Sequence, residues 1–387
     1  MTYANAGAYG HSASSLTEEE RAIREVVREF AVEELRPGAQ EADETETFPE
    51  EAWDGLAELD LTGLTTPEEY GGFDADRSTY ALVNEELAYG QLAVATALSV
   101  HCLATSCIAN FGSEQVREEW LPEMVDGRPV GAFCLSEPDA GSNPAQMSTT
   151  AERDGDEYVI DGEKQWITNG ARAGVYIVFA KTDADDDGSI TQFLVPADYD
   201  GVTVGKKEEK LGLRASDTVG MQFDGVRVPE RYRLTEEGRG LSAALKTLTG
   251  GRIAIAAQAV GLAQAALDEA TEYAQQREQF DRPIAEIESI RNKVAEMGTK
   301  VQASRLLVRE AARQADTGED PRLAASMAKY FASESAVDVA NEAVQIHGGY
   351  GYMSEFDVER FYRDAKITTI YEGTTEIQKT IIARELL

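Results

Sequence analysis

Basic residues are scarce in this 387-residue chain. Lys and Arg total 36 against 70 Asp and Glu, a net charge of −34 and a pI near 4.4. Phosphate backbones and anionic bilayers are bound by clustered positive charge, so nucleic acid and membrane surfaces are excluded as partners. Disorder is the other reading of high charge. It fails here, because 42% of the residues are hydrophobic, enough for a large core. The acids are spread along the chain, and Arg outnumbers Lys. This pattern reads as a solvated acidic surface suited to high salt, where repulsion is screened. A halophilic source is therefore expected.

Cysteine and histidine are equally sparse: Cys102, Cys107 and Cys134, and His11, His101 and His347. There is no CxxC, no zinc-spaced Cys/His cluster and no HExxH, so no metal is expected. An odd, low cysteine count fits a reducing cytoplasm, the expected location. His101 lies in an apolar helical run and is expected to be structural. No G-x-S-x-G elbow, P-loop or GxGxxG follows a strand-like run, which argues against a nucleophilic triad, a triphosphatase and a Rossmann dehydrogenase. No apolar run is expected to reach the roughly 18–20 residues of a membrane span. The opening MTYANAGAYGHSASS lacks a basic and then apolar leader and reads as a flexible lead-in.

Three textures follow one another along the chain. Residues 1–128 read as an all-α domain. Thr17 and Glu20 form a capping box ahead of Ile23, Val26, Val27 and Phe30 at helical spacing. Helical runs follow at 78–90, 92–111 and 113–126. Residues 129–235 change to short β-branched and aromatic runs, PVGAFCL, DEYVIDGEKQWIT, VYIVFAKT, ITQFLVP and VGMQFDGVRVP, which predict a β-barrel or sandwich domain. Residues 236–387 return to long helical periods at 239–276, 284–316 and 322–346, with a last helix after Gly373. These predict a four-helix bundle. The expected class is thus α+β and multidomain, in the order α, β, α.

Several short stretches could carry chemistry, and each has a plainer reading. In FCLSEPDAGSN (133–143), Gly and Ser beside a strand end permit close approach to a ligand, or form an ordinary turn. In KQWITNG (164–170), Trp166 among strand formers is most simply core, but it can also lie against a flat ring with Thr168 at the polar edge. In QQREQF (275–280), Arg277 and Phe280 stand three apart at a helix end and are expected to share a face; Arg suits a pyrophosphate. In VQIHGGYGYM (344–353) the paired glycines serve as a helix cap or as a close backbone approach. Arg252 sits in an apolar helical run, TLTGGRIAIAAQAVG. In TTIYEGTTEIQ (368–378), Glu372 stands just before a helix start, where the dipole stabilises acids and where a general base could also be aimed.

Taken in this order, FCLSEPDAGSN, KQWITNG, EKLGLRAS, REQF, QIHGG and YEGTTE resemble the acyl-CoA dehydrogenase family, over nearly the whole chain from about residue 17. The resemblance implies FAD as cofactor, an acyl-CoA substrate, electron-transfer flavoprotein as electron acceptor and a homotetramer. It implies that Phe133, Leu135, Ser136, Gly141 and Ser142 line the isoalloxazine, with Trp166, Ile167 and Thr168 on its other side. Arg277, Phe280, Gln345, Ile346, Gly348 and Gly349 would reach the FAD of a neighbouring subunit, and Thr374 and Glu376 would touch FAD near the last helix. Ser142, Thr249, Arg252, Tyr371 and Gly373 would lie near the acyl-CoA. Glu372 falls on the family's catalytic base. Shielding by Tyr371, Ile370 and the acyl chain is expected to raise its pKa. Some relatives take the base from the helix around 249–252, where this chain has Thr249, Gly250, Gly251 and Arg252 and no acid. That implies Glu372 as sole base and a short- or medium-chain-like branch. An oxidase or flavin monooxygenase on the same fold is the competing reading.

Overall fold

A computed structural model describes residues 16–387; the lead-in at 1–15, with His11, lies outside the described residues. The first helix starts at the capping box. The Glu20 N–H donates to Thr17 Oγ1 (3.1 Å) and the Thr17 N–H to Glu20 Oε2 (2.6 Å), which satisfies two otherwise orphaned donors. Helix α1 (Glu18–Phe30) is followed by two short helices, α2 (Ala39–Glu44) and α3 (Glu50–Glu58). Then come α4 (Arg77–Gly90), capped by Asp76, α5 (Leu92–Phe111) and α6 (Glu114–Val125), capped by Ser113.

One expectation needs correction. Leu92–Phe111 is long and apolar enough, by length and composition, to cross a membrane. It is 89% buried inside the protein, so its apolar surface is spent on the core. His101, on this helix, is structural as expected. Its Nδ1 accepts from the Gly131 N–H (3.0 Å), its Nε2 donates to Met124 O (3.1 Å), and burial pushes its pKa down to about 4.

The central segment forms β1 (Gly131–Cys134), β2 (Thr150–Asp154), β3 (Glu157–Ile167), β4 (Val175–Lys181), β5 (Ile190–Pro196), β6 (Val202–Lys207) and β7 (Val219–Pro229). The barrel-or-sandwich expectation resolves into one curled seven-stranded sheet, in the order β1-β4-β2-β3-β7-β6, with β5 also paired to β4. β4 and β5 are buried at every position, hence their largely apolar sequences, broken only by Lys181, Thr191 and Gln192. The register of β3 against β7 shifts between Ile160 and Gly162 and again between Lys164 and Ile167; such bulges bend a strand and re-aim its side chains. Strands β2 (TAERD) and β6 (VTVGKK) were not expected. Both are short and largely polar, and β6 is an exposed edge, so neither carries an apolar alternation to read.

The last segment begins with α7 (Gly240–Gln276), about 55 Å long at 1.5 Å per residue. It packs against α9 (Arg322–His347), α4 and α8 (Glu288–Asp316). Gly261 permits the closest approach: a Cβ there would sit 2.0 Å from Glu85 O of α4. Two further elements were not anticipated, the hairpin β8 (Glu278–Gln279) with β9 (Arg282–Pro283) and helix α10 (Asp357–Ile367). The chain ends in α11 (Thr375–Leu386), capped by Thr374. One core cluster joins the first and last helical segments, and a second fills the sheet and the end of α5.

Candidate active site

The predicted residues fall into three places. The first is the end of β1 and the loop after it, beside the end of β3. The Gln165 N–H donates to Ser136 O (3.0 Å), which ties the two segments together. Trp166 adopts a positive φ of 58° and is 55% exposed, with a ring carbon 3.9 Å from where a Gly141 Cβ would stand. The plain core reading of Trp166 therefore fails, and its ring is left as an open apolar platform over a glycine-lined loop. Two predicted residues of this group point elsewhere. Ile167 and Leu135 are buried in the sheet's own core, Ile167 because the register shift after Lys164 turns it inward, so only their backbone is available to a ligand.

A buried ion pair shapes this loop. Lys164 Nζ donates to Glu137 Oε1 (2.8 Å), and both side chains are almost wholly buried. Glu137 also accepts from the backbone and hydroxyl of Ser148 and from the Thr149 N–H. Burial works to raise the Glu137 pKa, but the Lys164 charge and these donors outweigh it and hold it down at about 2.

The second place is the turn between α10 and α11. Glu372 (φ 54°) and Gly373 (φ 94°) both lie in the left-handed region, an uncommon conformation for a non-glycine residue and one that recurs at functional sites. The turn is clamped by two buried donors: Gly373 O accepts from Lys329 Nζ (2.8 Å) and from Gln378 Nε2 (3.0 Å). A side chain on Gly373 would meet Gln378 Nε2 at 2.6 Å, so glycine is required there. The Glu372 N–H donates to no acceptor among the described residues. Its carboxylate reaches α7, where Oε2 lies 3.1 Å from the position a Gly251 Cβ would take. Oε2 is buried without a hydrogen-bond partner among the described residues. Burial raises the Glu372 pKa to about 7, against the opposing charges of Arg252 and Lys329. Arg252 is buried with an unpartnered Nε, and burial lowers its pKa. Burial likewise lowers Lys329 to about 8, while the Glu372 charge opposes the shift.

Tyr371 packs inward, with its hydroxyl donating to Gln258 Oε1 (3.3 Å). Ile370, expected to shield the carboxylate, is 48% exposed and does not. The shielding comes from Gly251 and Leu103, the latter 3.4 Å from the same would-be Cβ. Thr249 spends its hydroxyl on Leu245 O (3.0 Å). The Thr374 hydroxyl is the cap of α11, accepting from the Ile377 N–H. Glu376 and Ser142 are exposed.

The third place lies at the far end of α7. Arg277 is the C-cap of that helix, with extended backbone, and Phe280 sits at the β8–β9 hairpin turn with φ 55°. They do not share a helical face, because the helix has already ended. Phe280 is 84% exposed. Arg277, Ile346, His347, Gly349 and Tyr350 line a cavity of about 580 Å³. Gly348 (φ 61°) caps α9 as its sequence implied, and Gln345 is exposed one turn before it. The Arg277 guanidinium has no carboxylate partner among the described residues; its neighbour is the Tyr350 ring, 5.6 Å away.

The sequence reading missed Lys329, Gln378 and the Lys164–Glu137 pair. Lys329 had a usable signal: it shares its helical face with Ala325, Ala332 and Ala336, all buried. A lysine in that register is a buried charge in need of a partner.

Comparison with known proteins agrees with this geometry. Three family descriptions match successive parts of the chain: acyl-CoA dehydrogenase, N-terminal domain, at residues 17–128; middle domain, at 132–226; and C-terminal domain, at 238–387. An acyl-CoA dehydrogenase of Bacillus subtilis is 45% identical over 375 residues, 96% of this chain and 99% of that protein. A 3-(aryl)acrylate reductase of Clostridium sporogenes is 43% identical over 373 residues, again 96% of this chain and 99% of that protein. The solved structure of butyryl-CoA dehydrogenase from Megasphaera elsdenii superposes with a TM-score of 0.93 at 41% identity, covering 96% of this chain and 98% of that one. The protein is therefore an oxidoreductase of this three-domain fold. It belongs to the acyl-CoA dehydrogenase family, whose members are FAD enzymes.

The residues present fit that cofactor. Trp166 offers an exposed flat ring beside a glycine-lined loop, as an isoalloxazine requires. Arg277 offers a guanidinium with no carboxylate partner among the described residues, in an open cavity, the donor geometry that suits a pyrophosphate.

Proposed function

We propose that Glu372 takes the α-proton of an acyl-CoA thioester while a hydride passes from the β-carbon to N5 of FAD, leaving a trans-2-enoyl-CoA. The observation that carries this reading is the buried, unpartnered Glu372 Oε2 at a strained turn, with its pKa pushed up to about 7. A base works best when its pKa lies near the working pH. Near neutrality this carboxylate is substantially ionised, yet far more basic than a surface glutamate. The Glu372 N–H, which has no acceptor among the described residues, would donate to the thioester carbonyl as negative charge develops on its oxygen. Arg252 and Lys329 supply compensating positive charge around the base. Tyr371, Leu103 and Gly251 keep water from the carboxylate.

The same groups serve the reverse direction by microscopic reversibility, which accommodates a relative named as a reductase. Electron-transfer flavoprotein is the acceptor that the family resemblance implies. A second copy of the chain is part of this reading. Gln276, the last residue of α7, stands 25 positions beyond Gly251, about 38 Å along the helix, so Arg277 just after it is too far to serve the flavin beside its own Glu372. A homotetramer in which Arg277, Phe280 and the Gln345–Gly349 turn reach a neighbour's FAD accounts for that separation. The acidic surface is read as an adaptation to a salt-rich cytoplasm.

The test is anaerobic bleaching of the flavin band near about 450 nm in high salt, with acyl-CoAs of graded length and branching, for wild type and Glu372→Gln. Bleaching of wild type alone is the expected result. Equal bleaching by the variant would place the base elsewhere. Rapid reoxidation of the reduced enzyme by air would favour an acyl-CoA oxidase.

A further inference from the structure

Arg77 opens α4 with its backbone held on both sides. Its N–H donates to Asp316 Oδ1 (2.6 Å), and the next residue, Ser78, donates to Asp316 Oδ2 through both its N–H (3.1 Å) and its hydroxyl (2.6 Å). The side chain is not tied in this way. Its guanidinium makes no hydrogen bond or ion pair with any described residue; its one close ring is Tyr80, with Cζ 5.6 Å from the centroid. This is a departure in a chain where acids outnumber bases by 70 to 36.

The guanidinium lies over Gly250 of α7, with Cζ and Nη1 each 3.4 Å from the position of a would-be Cβ. The next residue, Gly251, holds the Glu372 carboxylate in the same manner, at 3.1 Å. Two adjacent glycines thus leave room for two charged groups, a guanidinium and the base, on one turn of one helix. Both glycines line a cavity of about 110 Å³ with Arg77, Tyr80, Ser106 and Lys246. Arg77 and Lys246 are the charged residues that line it, and no carboxylate is among the lining residues.

We propose that Arg77 is a specificity residue that binds an anionic oxygen group of the thioester substrate. Its position beside the base favours the distal carboxylate of a short dicarboxylic acyl chain; a phosphate of CoA has the same chemistry and is the other possible source. The planar guanidinium engages a carboxylate through two parallel hydrogen bonds, and an aliphatic chain of equal length gives it none. This inference rests on the substrate class assigned to the Glu372 site above.

The experiment compares wild type, Arg77→Gln and Arg77→Lys, all FAD-loaded, with butyryl-CoA, glutaryl-CoA and butyryl-pantetheine. Flavin reduction is the kinetic readout. Calorimetric binding of a non-oxidisable thioether of CoA ending in a carboxylate, beside its methyl-ended counterpart, is the equilibrium readout. The expected result is a loss in Arg77→Gln for glutaryl-CoA that exceeds its loss for butyryl-CoA by about 10- to 100-fold, with partial retention in Arg77→Lys. Equal losses on both CoA thioesters, with none on butyryl-pantetheine, would support anion recognition and assign the anion to CoA. Identical behaviour of wild type and Arg77→Gln toward all ligands would overturn the proposal. If no thioester reduces the wild-type flavin, the reaction assigned above fails. The thioether pair still decides the Arg77 assignment, since it reads binding without chemistry.

Discussion

Glu372→Gln should inactivate the enzyme and also make it more stable, by an amount that grows as the pH rises from about 4.5 to 7. In the folded protein burial lifts the Glu372 pKa from 4.5 to about 7. The folded state therefore holds this proton where the unfolded chain has released it. The resulting stability is fully present below about pH 4.5 and is lost as the pH rises through 7. At about 1.4 kcal/mol per pH unit, the ionised carboxylate costs the folded state about 3 kcal/mol above pH 8, relative to its protonated form. Glutamine resembles that protonated form at every pH. For 387 residues, an unfolding entropy of about 2 cal/mol/K per residue converts this into roughly 4 °C of Tm. Thermal unfolding of both proteins, FAD-loaded and in high salt, should show nearly equal midpoints at about pH 4 and a variant about 4 °C higher at about pH 8.5. A midpoint difference that does not change between the two pH values would refute the reasoning, since it would mean that Glu372 is not ionised at such a cost.

Lys329→Met removes a charge that holds the Glu372 pKa down, leaving Arg252 as the nearest cation and Glu334 and Glu376 as the nearby acids. The acid limb of the rate of flavin reduction against pH should move to higher pH, and any inflection near pH 8 from Lys329 itself should vanish; an unmoved acid limb would show that the two groups are uncoupled. Lys164→Met leaves Glu137 buried without its cation, which should cost about 3–5 kcal/mol and loosen FAD by releasing the loop that faces Trp166. Denaturant unfolding and flavin retention on desalting check this, and the double variant with Glu137→Gln should recover part of the loss.

Much of this molecule is legible along the chain. The capping box at Thr17, the helical period of 92–111 and 239–276, and the largely apolar strands β4 and β5 follow from local propensity and burial pattern, which act over a few residues. The order of short motifs was sufficient to indicate the family, and with it Glu372. What lay beyond reach was decided by contacts between distant positions. Arg277 and Phe280 were read onto one helical face because nothing in QQREQF announces that α7 stops at Gln276; the hairpin that stops it depends on pairing with Arg282 and Pro283. Trp166 became a platform and Ile167 core through a bulge set by the partner strand β7. The electrostatics of the site arise in the same way. Lys329 meets Gly373 across 44 residues, Lys164 meets Glu137 across 27, and Arg77 meets Gly250 only because α4 packs on α7. Periodicity states which face of an element is buried, but only the packing of one element on another states which charge that face will meet.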